Sequence, residues 1–264
     1  MSVDTDRSAA RTETEPAPMI SAHDVGKEFR TSQGPFVALD GLDLDIAADE
    51  FITVLGPSGC GKSTLLNMVA GFDHPTRGTL TVDGAPVTGP SPDKGVVFQD
   101  FALFPWLSVY KNIAYGLREA RVGAAETRRI VDEMLELVGL TTVAGHYPHQ
   151  LSGGMKQRVS IARVLAIDPK ILLMDEPFGA LDELRRMQLQ DELLRIWQLR
   201  RKTAVFITHS IDEAIVLGDR VVVMSAGPGR VASVVDVDLE RPRDRTSDEF
   251  NAVRRTVSDV LWGS

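Results

Sequence analysis

The chain has a single cysteine, Cys60, in 264 residues. An intrachain disulfide is therefore impossible, which fits a reducing compartment. Long apolar runs are also missing. The longest, such as Ile171-Leu172-Leu173-Met174, have strand length, whereas a bilayer span needs about 20 residues. The N-terminus lacks the apolar stretch of a secretory signal. Positive charge is in deficit, with 29 Lys and Arg against 37 Asp and Glu and a net charge of −8. A broad nucleic-acid footprint needs a basic face and is not expected. These absences point to a cytoplasmic protein that reaches a membrane only through a partner.

What is present suits a globular domain: 43% hydrophobic and 25% charged residues, on a chain long enough to bury roughly 70–75% of its unfolded surface. Residues 1–18 are polar, carry no hydrophobic period and are expected to be a disordered tail. From Ile20 the pattern is that of alternating strands and helices. Val37–Ile46 alternates apolar and polar residues like a half-buried antiparallel strand, and Phe51–Leu55 is continuously apolar, as a strand buried on both faces would be. A glycine-rich turn and a helical stretch, Lys62–Phe72, follow, then short strands at Thr79–Val82 and Gly95–Phe98. From about Asp100 to Ala166 strand signals vanish. Ile130, Met134, Leu137 and Val138, and later Val159, Ala162, Leu165 and Ala166, fall at helical spacing and predict a helical insertion. Strands return at Ile171–Met174, Val205–Thr208, Val221–Met224 and Val231–Val237. In the tail, 241–264, Thr246 and Glu249 have capping-box spacing, and Phe250, Val253, Val257, Val260 and Leu261 share one helical face.

The strongest motif is Gly56-Pro57-Ser58-Gly59-Cys60-Gly61-Lys62-Ser63-Thr64, a G-x-x-x-x-G-K-[ST] phosphate loop placed after an apolar strand and before a helix. Its glycines let backbone N–H groups turn toward a β-phosphate, and the helix N-terminus adds its dipole. Lys62 is positioned to neutralise β- and γ-phosphate oxygens, and Ser63 to ligate Mg²⁺. Cys60 has two readings: a spacer whose side chain the cradle does not use, or a thiol activated by the helix N-terminus and open to maleimides. Downstream, Lys170-Ile171-Leu172-Leu173-Met174-Asp175-Glu176-Pro177 brings two carboxylates to the carboxyl end of an apolar strand, where α/β folds bind ligands. Asp175 suits Mg²⁺, and Glu176 suits the attacking water.

Leu151-Ser152-Gly153-Gly154-Met155-Lys156-Gln157-Arg158 is a second small-residue turn opening a helix, hence a second anion site. It resembles the signature motif of ABC cassettes. The resemblance, covering about 19–240, implies an α/β P-loop NTPase core of RecA-like type, with an antiparallel β-subdomain and an α-helical insertion near 100–166. It implies ATP and Mg²⁺ as cofactors, ATP hydrolysis as the activity, and a head-to-tail pair of subunits. In that pair Leu151, Ser152, Gly153, Gly154 and Gln157 of one subunit meet the nucleotide on the other. It further assigns Gln99 to the Mg²⁺ and attacking water, Asp182 to the D-loop, His209 to the γ-phosphate and Phe29 to adenine, with Phe36 as competitor for that last role.

Phe101–Val109, Phe178–Glu183 and Leu189–Trp197 look like importer cassettes for nitrate, sulfonates and taurine. This narrower resemblance implies an integral membrane permease as direct partner, an extracytoplasmic solute-binding protein as indirect partner, and a position on the cytoplasmic face of the membrane. The Phe104-Pro105-Trp106 segment would lie near the permease groove, or Trp106 would fill the core of the insertion. Alternatives are an exporter cassette, a soluble ABC ATPase of DNA maintenance or translation, or an assembly ATPase of iron–sulfur scaffold type.

Overall fold

The computed structural model describes residues 17–32, 34–179 and 182–263. All but the last two positions of the expected tail, and Ala180 and Leu181, lie outside the described residues. The strands are β1 (Ile20–Thr31), β2 (Gly34–Ile46), β3 (Phe51–Leu55), β4 (Arg77–Val82), β5 (Ala85–Pro86), β6 (Lys94–Val97), β7 (Ile171–Asp175), β8 (Thr203–Thr208), β9 (Arg220–Ser225) and β10 (Arg230–Asp236). The helices are α1 (Lys62–Ala70), α2 (Val109–Glu119), α3 (Ala124–Leu137), α4 (Gly153–Ala166), α5 (Glu183–Leu199), α6 (Ile211–Leu217) and α7 (Asp248–Trp262).

Two sheets divide the strands. An antiparallel sheet runs β2-β1-β4-β5, and a six-stranded sheet runs β10-β9-β3-β8-β7-β6, parallel except at its β10 edge. All five residues of β3 are buried because helices or the other sheet cover both its faces. Phe51 and Leu55 join a core that continues through α2–α6 to Phe250 and Val257 of α7, whereas Ile52 and Val54 face α1 and the antiparallel sheet. This period-2 split makes β3 the partition between the two cores. The alternation expected over Val37–Ile46 holds only from Leu42 to Ile46; before it Ala38 and Leu39 are both buried.

Three features departed from the sequence expectations. β1 was not assigned from the sequence: three register shifts against β2 blur its hydrophobic alternation. Helices α5 and α6 were not assigned from periodicity. The cap of α7 is Ser247, not Thr246: Ser247 Oγ accepts from Phe250 N at 3.1 Å, while Asp244 Oδ1 accepts from the amide and hydroxyl of Thr246 at 2.8 and 2.7 Å. The competing Asx turn holds Thr246 outside the helix. The apolar face of α7 docks as the spacing implied, with Val253, Val260 and Leu261 packed around Phe250 and Val257.

Phe51 meets Trp197 edge-on at 5.4 Å, and its centroid lies 6.1 Å from that of Phe206. Phe51→Ala is expected to destabilise the fold by about 3–5 kcal/mol. Val234→Ala, on the exposed edge strand, should cost under about 0.5 kcal/mol. Urea unfolding of both variants checks the contrast.

Candidate nucleotide site

The phosphate loop leaves β3 and enters α1 through backbone that only glycine fits. Gly59 and Gly61 have φ of 79° and 93°. A Cβ on Gly61 would lie 2.5 Å from Leu39 Cδ2 and 3.0 Å from the Ala38 carbonyl; one on Gly56 would lie 2.7 Å from Cys60 Sγ. With Gly61 as its N-cap, α1 has no side-chain cap, so its first-turn amides face the loop. Lys62 is 6% exposed, and its ammonium donates to the carbonyls of Gly56 and Pro57 at 2.8 and 3.0 Å. Pro57, Ser58 and Ser63 are exposed at the mouth, with Thr64 half-buried behind them.

At the end of β7, Asp175 Oδ1 accepts from Ser63 Oγ at 3.2 Å. Burial pushes the Asp175 carboxyl above the usual carboxylate range; the Ser63 bond pulls it back, Glu176 raises it further and Lys62 lowers it. Two hard oxygen donors converging from separate elements, one of them a carboxyl that a cation would relieve, fit Mg²⁺. Glu176 has φ of 42°, a strained backbone for a non-glycine residue. Its amide donates to Ile207 O at 3.1 Å and its carbonyl accepts from Gly179 N at 3.0 Å. That anchoring directs Oε2 to within 3.1 Å of His209 Nδ1. Gln99 is exposed nearby: a Cβ on Gly179 would lie 3.3 Å from Gln99 Nε2 and 3.8 Å from Glu176 Oε2.

Phe29 and Phe36 are cross-strand partners of β1 and β2, 37% and 54% exposed. Both line the groove that holds Lys62, Ser63 and Glu176, so the two candidates for adenine stacking stand side by side. Lys27 Nζ lies 4.9 Å from the Phe29 ring centre.

The signature lies elsewhere. Ser152 caps α4, accepting from Met155 N at 3.3 Å, and with Gly154 lines a groove against Arg185 and Leu189 of α5. The two grooves share no lining residue. Gly153 is half-buried and Leu151 is buried. Gln157, grouped with the signature by sequence, needs correction: it is 0% exposed in the interior and does not line the groove of Ser152 and Gly154. Asp182 caps α5 through Arg185 N at 3.1 Å.

Cys60 is likewise 0% exposed, packed within the core beneath the loop. Burial raises its thiol, outweighing the lowering by Lys62. The spacer reading therefore stands over the reactive one.

Sequence reasoning missed Glu213. It is 6% exposed on α6, accepting from Gln190 Nε2 at 2.8 Å and from the Thr208 hydroxyl, one residue before His209. An acid in the helix after His209 was the only signal, and periodicity could not show that it turns inward.

A glycine-cradled helix N-terminus, a buried lysine and two carboxylates at a parallel strand's end define a P-loop nucleotide hydrolase. A sequence profile of the ABC transporter family matches residues 39–179. The chain is 52% identical over 245 residues to the nitrate import ATP-binding protein NrtD of Synechococcus elongatus, covering 90% of this chain and 89% of that one. It is 47% identical over 252 residues to the bicarbonate transport ATP-binding protein CmpD of the same species, covering 93% and 91%. Among solved structures, a dimeric bacterial ABC transporter cassette superposes with a TM-score of 0.74 at 34% identity, covering 84% of this chain and all of that one. The same cassette in a post-hydrolysis state with ADP and Pi gives 0.73 at 33%, covering 84% and all of it. The chain belongs to the ABC transporter family as an ATP-binding subunit, and it is an ATPase.

N-ethylmaleimide is expected to label Cys60 slowly in the native protein and rapidly in urea, read by mass spectrometry; fast native labelling with loss of activity would restore the reactive reading. Burial, opposed by the Thr208 and Gln190 hydrogen bonds, raises the Glu213 carboxyl above its ordinary 4.5. The folded state then holds this proton more tightly than the unfolded chain, so its contribution to stability is lost as pH rises through the folded pKa. The stability of Glu213→Gln relative to wild type should therefore increase as pH is raised above the ordinary carboxyl value of 4.5, measured by urea unfolding at a series of pH values.

Proposed function

We propose that this subunit drives an importer for a small anion of the nitrate, bicarbonate or sulfonate (including taurine) class through a separate membrane permease. The observation that carries the reading is the 52% identity, over nine-tenths of both chains, to a nitrate import ATP-binding protein. The permease is supported by an exposed aromatic cluster: Phe104 lies 5.7 Å from Trp106 and 4.4 Å from Tyr115, and Trp106 is 71% exposed. Such a rigid apolar anchor suits a docking partner. Among the described residues no helix is long and apolar enough to cross a membrane, so the permease supplies the span. The subunit then sits on its cytoplasmic face, and a solute-binding protein delivers cargo from the other side.

In this reading the loop amides and Lys62 hold the ATP phosphates, and Phe29 or Phe36 stacks on adenine. Ser63 and Asp175, with Gln99 close by, would hold Mg²⁺, which neutralises phosphate charge when bound. Glu176 accepts the proton of the attacking water, and His209 orients that carboxylate and meets the γ-phosphate. The separation of the signature groove from the phosphate loop favours two subunits arranged head to tail, so that Ser152–Gly154 of each closes on the other's nucleotide. Asp182 lies at that interface.

Glu176→Gln should bind ATP and accumulate as a dimer by light scattering, with kcat lowered at least ~10²-fold; normal turnover would sink the role given to Glu176. A deletion strain complemented with wild type or with Glu176→Gln, grown on nitrate, taurine, alkanesulfonates or limiting bicarbonate, tests the cargo. Loss of growth on one source, rescued by wild type alone, supports import of that solute. Normal growth on every source removes the anion class proposed.

A further inference from the structure

The segment after β10 is fastened to α6 by arginines. Arg254 grips Asp212 in the first turn of α6 with two bonds of 2.6 and 2.9 Å. At the other end Arg243 donates to the carbonyls of Ile215, Val216 and Gly218, and Arg241 to that of Leu217 at 2.5 Å. Carbonyls at a helix C-terminus lack intrahelical partners and carry negative partial charge, so guanidinium groups there act as caps. The helix so gripped starts two residues after His209.

One arginine of this segment reaches further. Arg245 donates to Gln190 Oε1 at 2.5 Å. Gln190, 1% exposed on α5, donates to Glu213 Oε1 at 2.8 Å. Glu213 Oε2 accepts from the hydroxyl of Thr208, itself 1% exposed, and Thr208 Oγ1 accepts from Ser210 N at 3.0 Å. The chain of bonds therefore ends on the residues flanking His209. Orientation propagates along it: an amide whose oxygen is claimed by Arg245 must present its nitrogen to Glu213, leaving the second carboxylate oxygen for Thr208. Buried networks of this kind are rigid because each unmade bond strands a desolvated polar group.

We infer that the C-terminal segment positions His209, with Arg245, Gln190 and Glu213 as positioning residues that hold the Thr208–Ser210 backbone and thereby set the rate of hydrolysis. The inference rests on His209 acting in the nucleotide site, as proposed above. It also makes the segment after β10 a handle, because anything that draws Arg245 away loosens the loop under His209.

The test uses the full chain. Arg245→Met removes the outer donor. It is expected to lower the ATPase kcat roughly tenfold with KM for ATP unchanged, since small displacements of a site residue cost rate before binding. It should also move the His209 imidazole resonance, assigned through His209→Ala, in heteronuclear spectra. Arg245→Lys keeps a donor for Gln190 and should recover most of both, and Arg255→Ala, on the exposed face of α7, should change neither. An unmoved resonance in folded Arg245→Met protein overturns the inference, whether or not kcat falls, because a structural role alone would then account for the rate. If Arg245→Met does not fold, Arg245→Gln, too short to reach Gln190, serves in the same comparison. Full activity of His209→Ala would defeat the role of His209 rather than this coupling, which the resonance still reads.

Discussion

The whole arrangement depends on how closely backbone approaches backbone around residues 56–61. The phosphate loop is pressed between β2 and the turn after β9. Gly229 bonds across to β2 through its amide to Ala38 O at 2.9 Å and its carbonyl to Asp40 N at 3.1 Å. A Cβ on Gly229 would lie 1.9 Å from the Cys60 carbonyl, as one on Gly61 would meet Ala38 O at 3.0 Å. Neither glycine leaves room for a Cβ, and Lys62 adds side-chain bonds to the carbonyls of Gly56 and Pro57, so the loop is held with its amides turned to one point. Because β3 ends at the loop and β7 lies one strand beyond β8, the same packing brings Ser63 to Asp175 and sets the first turn of α1 against the carboxylates.

Around that rigid centre the site is assembled from elements with different attachments. Glu176 is held in a strained conformation by bonds at both ends of its residue. His209 stands at the start of a short helix whose own position is set from α5 and the C-terminal segment. Gln99 approaches over Gly179, and just beyond it Phe101 and Ala102 have φ of 58° and 47°. Arg163 of α4 donates to both their carbonyls, at 3.3 and 2.6 Å. The helix that opens with the signature is thus bonded at its far end to the loop that carries Gln99.

Much of this was readable in advance. The apolar runs at Phe51–Leu55 and Ile171–Met174 announced buried parallel strands, since both faces are covered and no polar alternation is needed. The phosphate loop and the acidic pair followed from spacing. Other readings failed where two local rules competed or where direction mattered. Ser247 outcompeted Thr246 as a cap because Asp244 had already engaged the threonine. Of the two readings of Cys60, burial favours the spacer over a thiol activated by the helix N-terminus. Gln157 sits within the signature motif yet turns inward, a distinction that position in a motif does not carry.

The phosphate-loop glycines, Lys62 and the Asp175–Glu176 pair at a strand's end were determined by the sequence itself, because local backbone chemistry and apolar period are encoded within a few residues. Which side chains share a groove was decided only by tertiary structure. Phe29 with Phe36, Glu176 with His209, and Arg245 with Gln190 and Glu213 are joined by strand register and by helix packing across 7 to 55 residues of chain. Such pairings arise from long-range burial, where each polar group finds the partner left to it once the apolar faces have closed.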